Sequence, residues 1–400
     1  MVTPVDYSAD SRYDVHPGEG YDGVVRVSFD GYYATGALLY DGRAILTSAH
    51  LFEDGEGKAT VTFETPSGTK TLTAREILIH PEYDRNCTND LALLWLSEPP
   101  PVDANRYELY RNSDEVGQVF TMVGYGLTGT GSTGAIYSAS TPHIRLKVKN
   151  RFDADASKLK DFLGSTIDWN PKAGTQLIAD FDNGREANDA LGQLIHCSDL
   201  GLGLDEGFIA PGDSGSPAFL QGKIAGVATY VASLSYDGTN PDIDHITNSS
   251  FGEVAGWQRV SAYQQWIDQS LRLHYPNAPS KPEEVKKVVL EGNSGTTYVY
   301  FLVQFIGERS NPNEIVSVDY ATRDGTAKAG SDYIPVSGRL NLYPGENHAV
   351  IPVEIIGDTI PEPDEYFYLD IFNPVGGSFG EGVVKLTAVR TIIDDDGWVG

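Results

Sequence analysis

Three residue types suited to nucleophilic acyl transfer stand beside apolar runs in this 400-residue chain. His50 closes Ser48-Ala49-His50, directly after the run Ala44 to Thr47. Forty residues on, Asp90 lies at the lip of another apolar run, in Asn89-Asp90-Leu91-Ala92-Leu93-Leu94. Ser214 sits in a glycine-rich turn, Pro211-Gly212-Asp213-Ser214-Gly215-Ser216-Pro217, ahead of Ala218–Leu220. Attack on an acyl carbon needs a hydroxyl, a base to take its proton and a carboxylate to orient the base. It also needs backbone N–H groups aimed at the developing oxyanion, which a glycine turn presents readily. Taken singly, each piece reads as ordinary structure: a histidine at a strand end, a capping aspartate, a tight turn. Taken together, His, Asp and Ser follow one of the known triad orders.

The elements that must hold these residues are strands. VVRVSF, GALLY, AILTS, TVTFET, LALLWL, VFTMVGYG, IRLKVK, PAFL and KIAGVATYV are short runs separated by glycine-rich turns, the rhythm of a barrel or sandwich. Val260 to His274 reads as a helix, and the Pro-rich, charged stretch from Pro276 to Lys287 reads as a linker. Beyond it VKKVVLEG, TTYVYFLVQF, EIVSVDYAT, RLNLY, HAVIPVEII, EYFYLDIF and VVKLTAVRTII repeat the strand rhythm over the length of one sandwich. Residues 150–190 break the rhythm and read as an inserted loop with one short helix and no marked chemistry.

Acidic residues outnumber basic ones 56 to 29, for a formal charge of −27. Such a field repels phosphate backbones and anionic lipid, which disfavours nucleic-acid and membrane-surface partners and makes calcium the plausible charged partner. Forty-three glycines, 22 prolines and only two methionines point to turn-rich β structure. No window approaches the roughly eighteen apolar residues of a membrane span. The start, MVTPVDYSADSRYD, has neither the basic nor the apolar stretch of a secretory signal. The chain is thus either cytosolic or the product of a removed leader.

LTSAH, NDLALL and GDSGSP resemble the three signature segments of the trypsin/chymotrypsin family of serine peptidases, in that family's order. The likeness runs from about Gly23 to Tyr275; WQRVSAYQQWI resembles the family's C-terminal helix and IAGVATYV its substrate-binding strand. It implies His50 as general base and acid, Asp90 as its orienting carboxylate and Ser214 as nucleophile, with no cofactor. The N–H groups of Gly212 and Ser214 would form the oxyanion hole, and Asp213 would pair with a new N-terminus on activation. The family's Ile-Val-Gly-Gly start is absent; the matching position falls near Arg12-Tyr13, so cleavage after Arg12 is the expected activation step and residues 1–22 an extension or propeptide. Leu51 replaces a common cysteine and Ser216 a usual glycine.

By the same resemblance, substrate specificity belongs to Phe208, six residues before Ser214, with Val231 and Ala255 as pocket walls. Without a carboxylate at that floor, small or medium apolar side chains are expected before the scissile bond; the bland alternative is that Phe208 only packs the core. Cys87 and Cys197 would both border the cleft by the family fold, either as a disulfide or as two free thiols.

Residues near 285–397 carry VDYATRDGTAKAGSDYIPVSG, GDTIPEPDEYFYLDI, NPVGG and IIDDDG, which closely resemble the Calx-β module, a Greek-key sandwich. Its calcium-binding examples imply Glu291, Asp332, Asp358, Glu362, Glu365, Asp394, Asp395 and Asp396 as ligands. Adjacent aspartates repel one another unless a cation or solvent screens them. Gly357, Thr359, Pro361 and Pro363 stand at acid-rich positions of the strongest binders, so fewer or weaker ions are expected.

The expected molecule is mainly β: a trypsin-like double β-barrel at 23–275, a linker at 276–284 and a Greek-key sandwich at 285–397. The leading reading is a secreted endopeptidase acting on protein or peptide substrates, with a calcium-binding module. The alternatives are an inactive protease-like binding protein and an adhesive protein in which the Calx-β module carries the function.

Overall fold

The computed structural model describes residues 1–53, 55, 57–137 and 143–397. It divides into two compact units, Met1–Leu39 with Arg43–Gln264, and Tyr40–Gly42 with Gln265–Gly400.

In the first unit six strands close into a barrel: β1 (Val24–Phe29), β2 (Tyr32–Leu38), β3 (Ala44–Thr47), β4 (Thr60–Thr65), β5 (Gly68–Ile79) and β6 (Ala92–Leu96). Its inward residues, among them Val25, Val27, Ile45, Val61, Phe63 and Leu94, form one buried core. The alternation of VVRVSF and TVTFET follows from this, since successive side chains face opposite sides of a strand. A second sheet contains β7 (Val119–Gly124), β8 (Leu146–Arg151), β9 (Gln176–Asp180), β10 (Pro217–Leu220), β11 (Lys223–Ala232) and β12 (Val254–Arg259), plus a two-residue edge strand Ala154–Asp155. The two edges of this sheet, Leu146–Arg151 and Ala154–Asp155, are joined by Phe152 and Asp153 alone. Edges so close along the chain force the sheet to curl, and inside it Phe120 stacks on Phe152 while Trp257 meets both rings edge-on.

Residues 150–190 therefore differ from the expected inserted loop. They supply Ala154–Asp155, the helix α1 (Ser157–Leu163) and β9, whose five residues are all buried and pair with β12 from Gln176 opposite Gln258 to Asp180 opposite Val254. QLIAD, buried on both faces, shows no period-2 alternation, so its strand signal was faint. A second short helix, α2 (Ala190–Ile195), follows with Asp189 as its N-cap.

Residues 1–22 also differ from an extension. Met1, Val2 and Thr3 are fully buried, and Val2–Thr3 pairs in parallel with Gly129–Thr130. The helix α3 runs Val260–His274, as its sequence suggests.

The second unit holds a five-stranded sheet, in spatial order β13 (Val288–Leu290), β19 (Lys385–Ile393), β18 (Glu365–Val375), β15 (Val316–Asp324) and β16 (Ser337–Leu342). A two-stranded sheet, β14 (Thr296–Gln304) with β17 (His348–Ile356), completes it. Val299, Phe301, Ile351 and Val353 from the pair share a core with Val318, Tyr320, Phe367 and Leu369 from the larger sheet, which makes a sandwich. No helix among the described residues is long and apolar enough to cross a membrane.

Candidate active site and acidic loop cluster

The first barrel brings His50 and Asp90 together through register. β3 and β6 are antiparallel with Thr47 opposite Ala92, so the residues after Thr47 and those before Ala92 leave the barrel at one end. Asp90 is completely buried there. Its Oδ1 accepts the N–H groups of Ala49 at 2.7 Å and His50 at 2.9 Å, and its Oδ2 lies 2.7 Å from His50 Nδ1. An ionised carboxylate only accepts, so Nδ1 carries the proton and Nε2 is left as an acceptor. Ser214 Oγ lies 2.8 Å from that Nε2. Burial pulls the His50 pKa down, but the hydrogen bond to Asp90 and the charges of Asp90 and Glu53 push harder, and the net shift is upward.

Ser214 is carried by the second sheet and pinned to the first barrel. Its carbonyl accepts the Thr35 N–H at 2.8 Å, and the next N–H, of Gly215, donates to Ala228 at 2.8 Å. Gly215 has φ +80°, and a Cβ there would stand 2.2 Å from the Thr35 carbonyl oxygen. Gly212 has φ +94°, with the Tyr33 ring 2.4 Å from a notional Cβ. Both positions exclude other residues on steric grounds. Among the described residues the N–H groups of Gly212 and Ser214 donate to no backbone partner, whereas those of Asp213, Gly215 and Ser216 all do. Two unpaired N–H groups beside a hydroxyl–imidazole–carboxylate chain can take up a developing negative charge. A cleft lined by Phe29, Tyr32, Tyr33, His50, Leu51 and Ser214 opens beside them.

Asp213 turns away from this cleft. Its Oδ1 accepts the Gly126 N–H at 2.8 Å and its Oδ2 the Ala210 N–H at 3.0 Å. The amine that reaches it is that of Met1, 3.0 Å from Oδ2. Val2 exchanges two backbone hydrogen bonds with Phe208, at 3.0 and 2.9 Å. The expected new terminus after Arg12 does not occupy this place. Arg12 instead pairs with Asp10 and Asp205, and Tyr13 is buried with its hydroxyl on the Leu204 carbonyl. The usable signal was the apolar pair Met1-Val2, hidden by residues 3–23, which separate it from the first barrel strand.

Phe208 is fully buried and stacks on Phe181, with ring centroids 5.3 Å apart and planes 5° apart. Ala255 is buried opposite Val231 on the paired strands β12 and β11. All three belong to or pack on the core of the second sheet. Cys87 and Cys197 are free thiols. Burial pushes the Cys87 thiol up to about 12, and its carbonyl accepts the side chains of Gln176 and Gln258.

In the second unit the acidic candidates gather as two trios, Glu291 with Asp394 and Asp396, and Asp332 with Glu362 and Glu365, each with ligand oxygens within 4.8 Å of one another. Glu291 and Glu365 are both pushed up to about 7, first by burial and then by neighbouring acids. Asp358 supplies part of the repulsion on Glu291 and Glu362. Asp395 differs from its neighbours: its Oδ1 accepts the Gly292 N–H at 2.9 Å. Asp396 Oδ2 is buried and has no hydrogen-bond partner, an orphan acceptor that a cation would satisfy. The donor set, all carboxylate oxygen, suits a hard divalent ion.

A closed barrel, a curled second sheet and a Ser-His-Asp chain spanning the two define a trypsin-type domain. Comparison with known proteins agrees. The trypsin family model matches residues 13–160 and the Calx-beta domain model matches residues 291–396, so the chain carries a trypsin domain followed by a Calx-beta domain. The sodium/calcium exchanger Calx of Drosophila melanogaster is 40% identical over 91 residues, 22% of this chain and 9% of that protein. Sodium/calcium exchanger 2 of Mus musculus is 31% identical over 153 residues, 32% of this chain and 17% of its own length. The chain therefore spans only a small part of these relatives.

Proposed function

We propose that the chain is a serine endopeptidase that hydrolyses peptide bonds through His50, Asp90 and Ser214. The observation that carries this reading is His50, whose two ring nitrogens lie 2.7 Å from Asp90 and 2.8 Å from Ser214. His50 Nε2 takes the Ser214 proton as Oγ attacks the acyl carbon, and the imidazolium that forms is held by Asp90. The N–H groups of Gly212 and Ser214 receive the oxyanion. His50 then returns the proton to the leaving amine, and water repeats the sequence on the acyl-enzyme. Preference for small or medium apolar residues before the scissile bond is part of the proposal, supported by the absence of a carboxylate at Phe208. Labelling of the protein by a fluorophosphonate probe, abolished in Ser214→Ala, tests the reading. A wild-type chain that stays unlabelled in calcium would instead favour an inactive, protease-like binding protein.

The Calx-β unit is proposed to bind calcium through Glu291, Asp394 and Asp396 and through Asp332, Glu362 and Glu365, with Asp358 and Asp395 at the rim. The likeness to sodium/calcium exchangers and the orphaned oxygen of Asp396 support it. The ion would neutralise the acids and stiffen the loops; no catalytic step runs through it. An extracellular location, where calcium is abundant, fits the same reading.

A further inference from the structure

The second sheet of the first unit carries a carboxylate cluster that the proposed mechanism does not use. Asp180 ends β9, Asp182 follows two residues on, and Asp189 caps α2. Their exposures are 1%, 5% and 3%, and one ligand oxygen from each lies within 4.8 Å of the others. Some of these oxygens have work: Asp180 Oδ2 accepts the Leu191 N–H at 2.7 Å, and Asp189 Oδ1 the Gly192 N–H at 2.7 Å. Asp189 Oδ2 accepts the Ser198 hydroxyl. Asp182 Oδ1 has none, although the residue is almost wholly enclosed. A buried carboxylate oxygen without a donor is costly, and native structures rarely tolerate one without an ion or water.

The surroundings sharpen the problem. Glu206, 1% exposed, accepts the N–H groups of Asp182 and Leu202, and Asp153 lies against Asp180. Among the described residues no lysine, arginine or histidine forms an ion pair with Asp153, Asp180, Asp182, Asp189 or Glu206. Burial first, then the neighbouring acids, pushes Asp182 up to about 11, Glu206 to about 8 and Asp180 to about 7. Those are the shifts expected of acids gathered in a dry place without their counter-charge.

We propose that Asp180, Asp182 and Asp189 form a divalent-cation site in the trypsin-type unit, separate from the acids of the Calx-β unit, and that its ion is calcium. The donors are carboxylates without cysteine or histidine, which disfavours zinc and other softer ions. Donors from a strand end, a loop and a helix cap form the kind of irregular oxygen set that calcium accepts, while magnesium demands a near-ideal octahedron. The ion would tie the end of β9 to α2. The effect reaches further, because Phe181, between two of the ligands, stacks on Phe208, and Glu206 holds the Asp182 N–H two residues before Phe208. The bound ion thus orders the segment that leads into the Ser214 turn.

The full chain, stripped with chelator, is titrated with calcium chloride by calorimetry beside Asp182→Asn, and hydrogen exchange is followed peptide by peptide. The proposal expects Asp182→Asn to bind one calcium fewer than wild type. It also expects calcium to slow wild-type exchange about tenfold or more across residues 176–206, with magnesium much weaker. Unchanged stoichiometry in Asp182→Asn, or wild-type exchange across 176–206 indifferent to calcium, would overturn it. So would a chelated Asp182→Asn that is more stable than wild type while binding as many ions, since the cluster would then be a set of protonated acids. The wild-type exchange measurement decides the matter if Asp182→Asn fails to fold. Because both readouts are binding and local order, they stand whether or not fluorophosphonate labels Ser214.

Discussion

The Met1 ammonium and the Asp213 carboxylate form an ion pair of 3.0 Å with neither group exposed to solvent. Asp213 immediately precedes Ser214, and Val2 is bonded to Phe208, so one short segment fixes both the nucleophile turn and the residue six positions before it. Removing one partner of a buried pair leaves an uncompensated charge, a cost of about 3–5 kcal/mol. Asp213→Asn is expected to lose stability of that order in urea denaturation, and to lose most peptidase activity because the turn carrying Gly212 and Ser214 relaxes. Full activity in Asp213→Asn would rule out this coupling.

The raised pKa of His50 sets the pH dependence. The base must be neutral to accept the Ser214 proton, so kcat/KM rises with pH as His50 deprotonates, and an upward shift moves that limb above the ordinary imidazole value. The same sign applies to stability: protonated His50 paired with Asp90 favours the folded state below its unfolded pKa, and this contribution is lost as pH rises through the folded value. Asp90→Asn leaves the ring without its acceptor and frees the wrong tautomer, with kcat falling on the order of 10⁴-fold. The measurement is a pH–rate profile on a chromogenic peptide. An acidic limb below the ordinary histidine value would contradict the geometry.

How much of this was readable beforehand depends on what each feature needs. His50, Asp90 and Ser214 stood out because their flanks are short, local and apolar, and the strands around them alternate at period two. β9 did not stand out, because a strand buried on both faces has no alternation to detect. Asp180, Asp182 and Asp189 were hidden with it: acids spaced along a loop look solvated until β9 folds and encloses them. The approach of the chain's start to Asp213 was hidden for a different reason. Counting back from β1 assumes a short approach, whereas residues 4–22 here fold into two tight helical turns and a loop between the buried terminus and the barrel. Phe208 was identified by position, yet only packing reveals that its ring lies against Phe181.

On the proposed calcium reading, the acids of the second unit make their own prediction. Glu291, Asp394 and Asp396 hold ligand oxygens within 4.8 Å of one another, and charges this close repel unless screened. A ligand at 100 times its dissociation constant stabilises by about 2.7 kcal/mol. Chelator is expected to lower the melting temperature of the Calx-β transition by several degrees, and calcium to restore it. In Glu291→Gln with Asp396→Asn, the effect of chelator on the Calx-β transition should shrink, the trio Asp332, Glu362 and Glu365 remaining. Scanning calorimetry of the whole chain checks this, and identical melting with and without chelator in the wild type would exclude these two trios as sites.

Substrate choice is the remaining consequence of the core around Phe208. A cationic side chain entering a pocket needs a buried carboxylate to replace its hydration, and the position six before Ser214 offers a phenyl ring instead. That ring is fully enclosed, with its face on Phe181, and therefore does not swing aside to uncover one. Peptides ending in Ala or Val before the scissile bond are expected to be cleaved with kcat/KM at least tenfold above the Arg-ended equivalent. The comparison is made with chromogenic peptides that differ only at that residue. Replacing the ring, in Phe208→Asp, creates a buried unpaired carboxylate beside Glu206, so it should destabilise the fold and not convert the preference to arginine. Faster cleavage after arginine in the wild type would mean that some other acid reaches the pocket, and the assignment of its floor to Phe208 would fall.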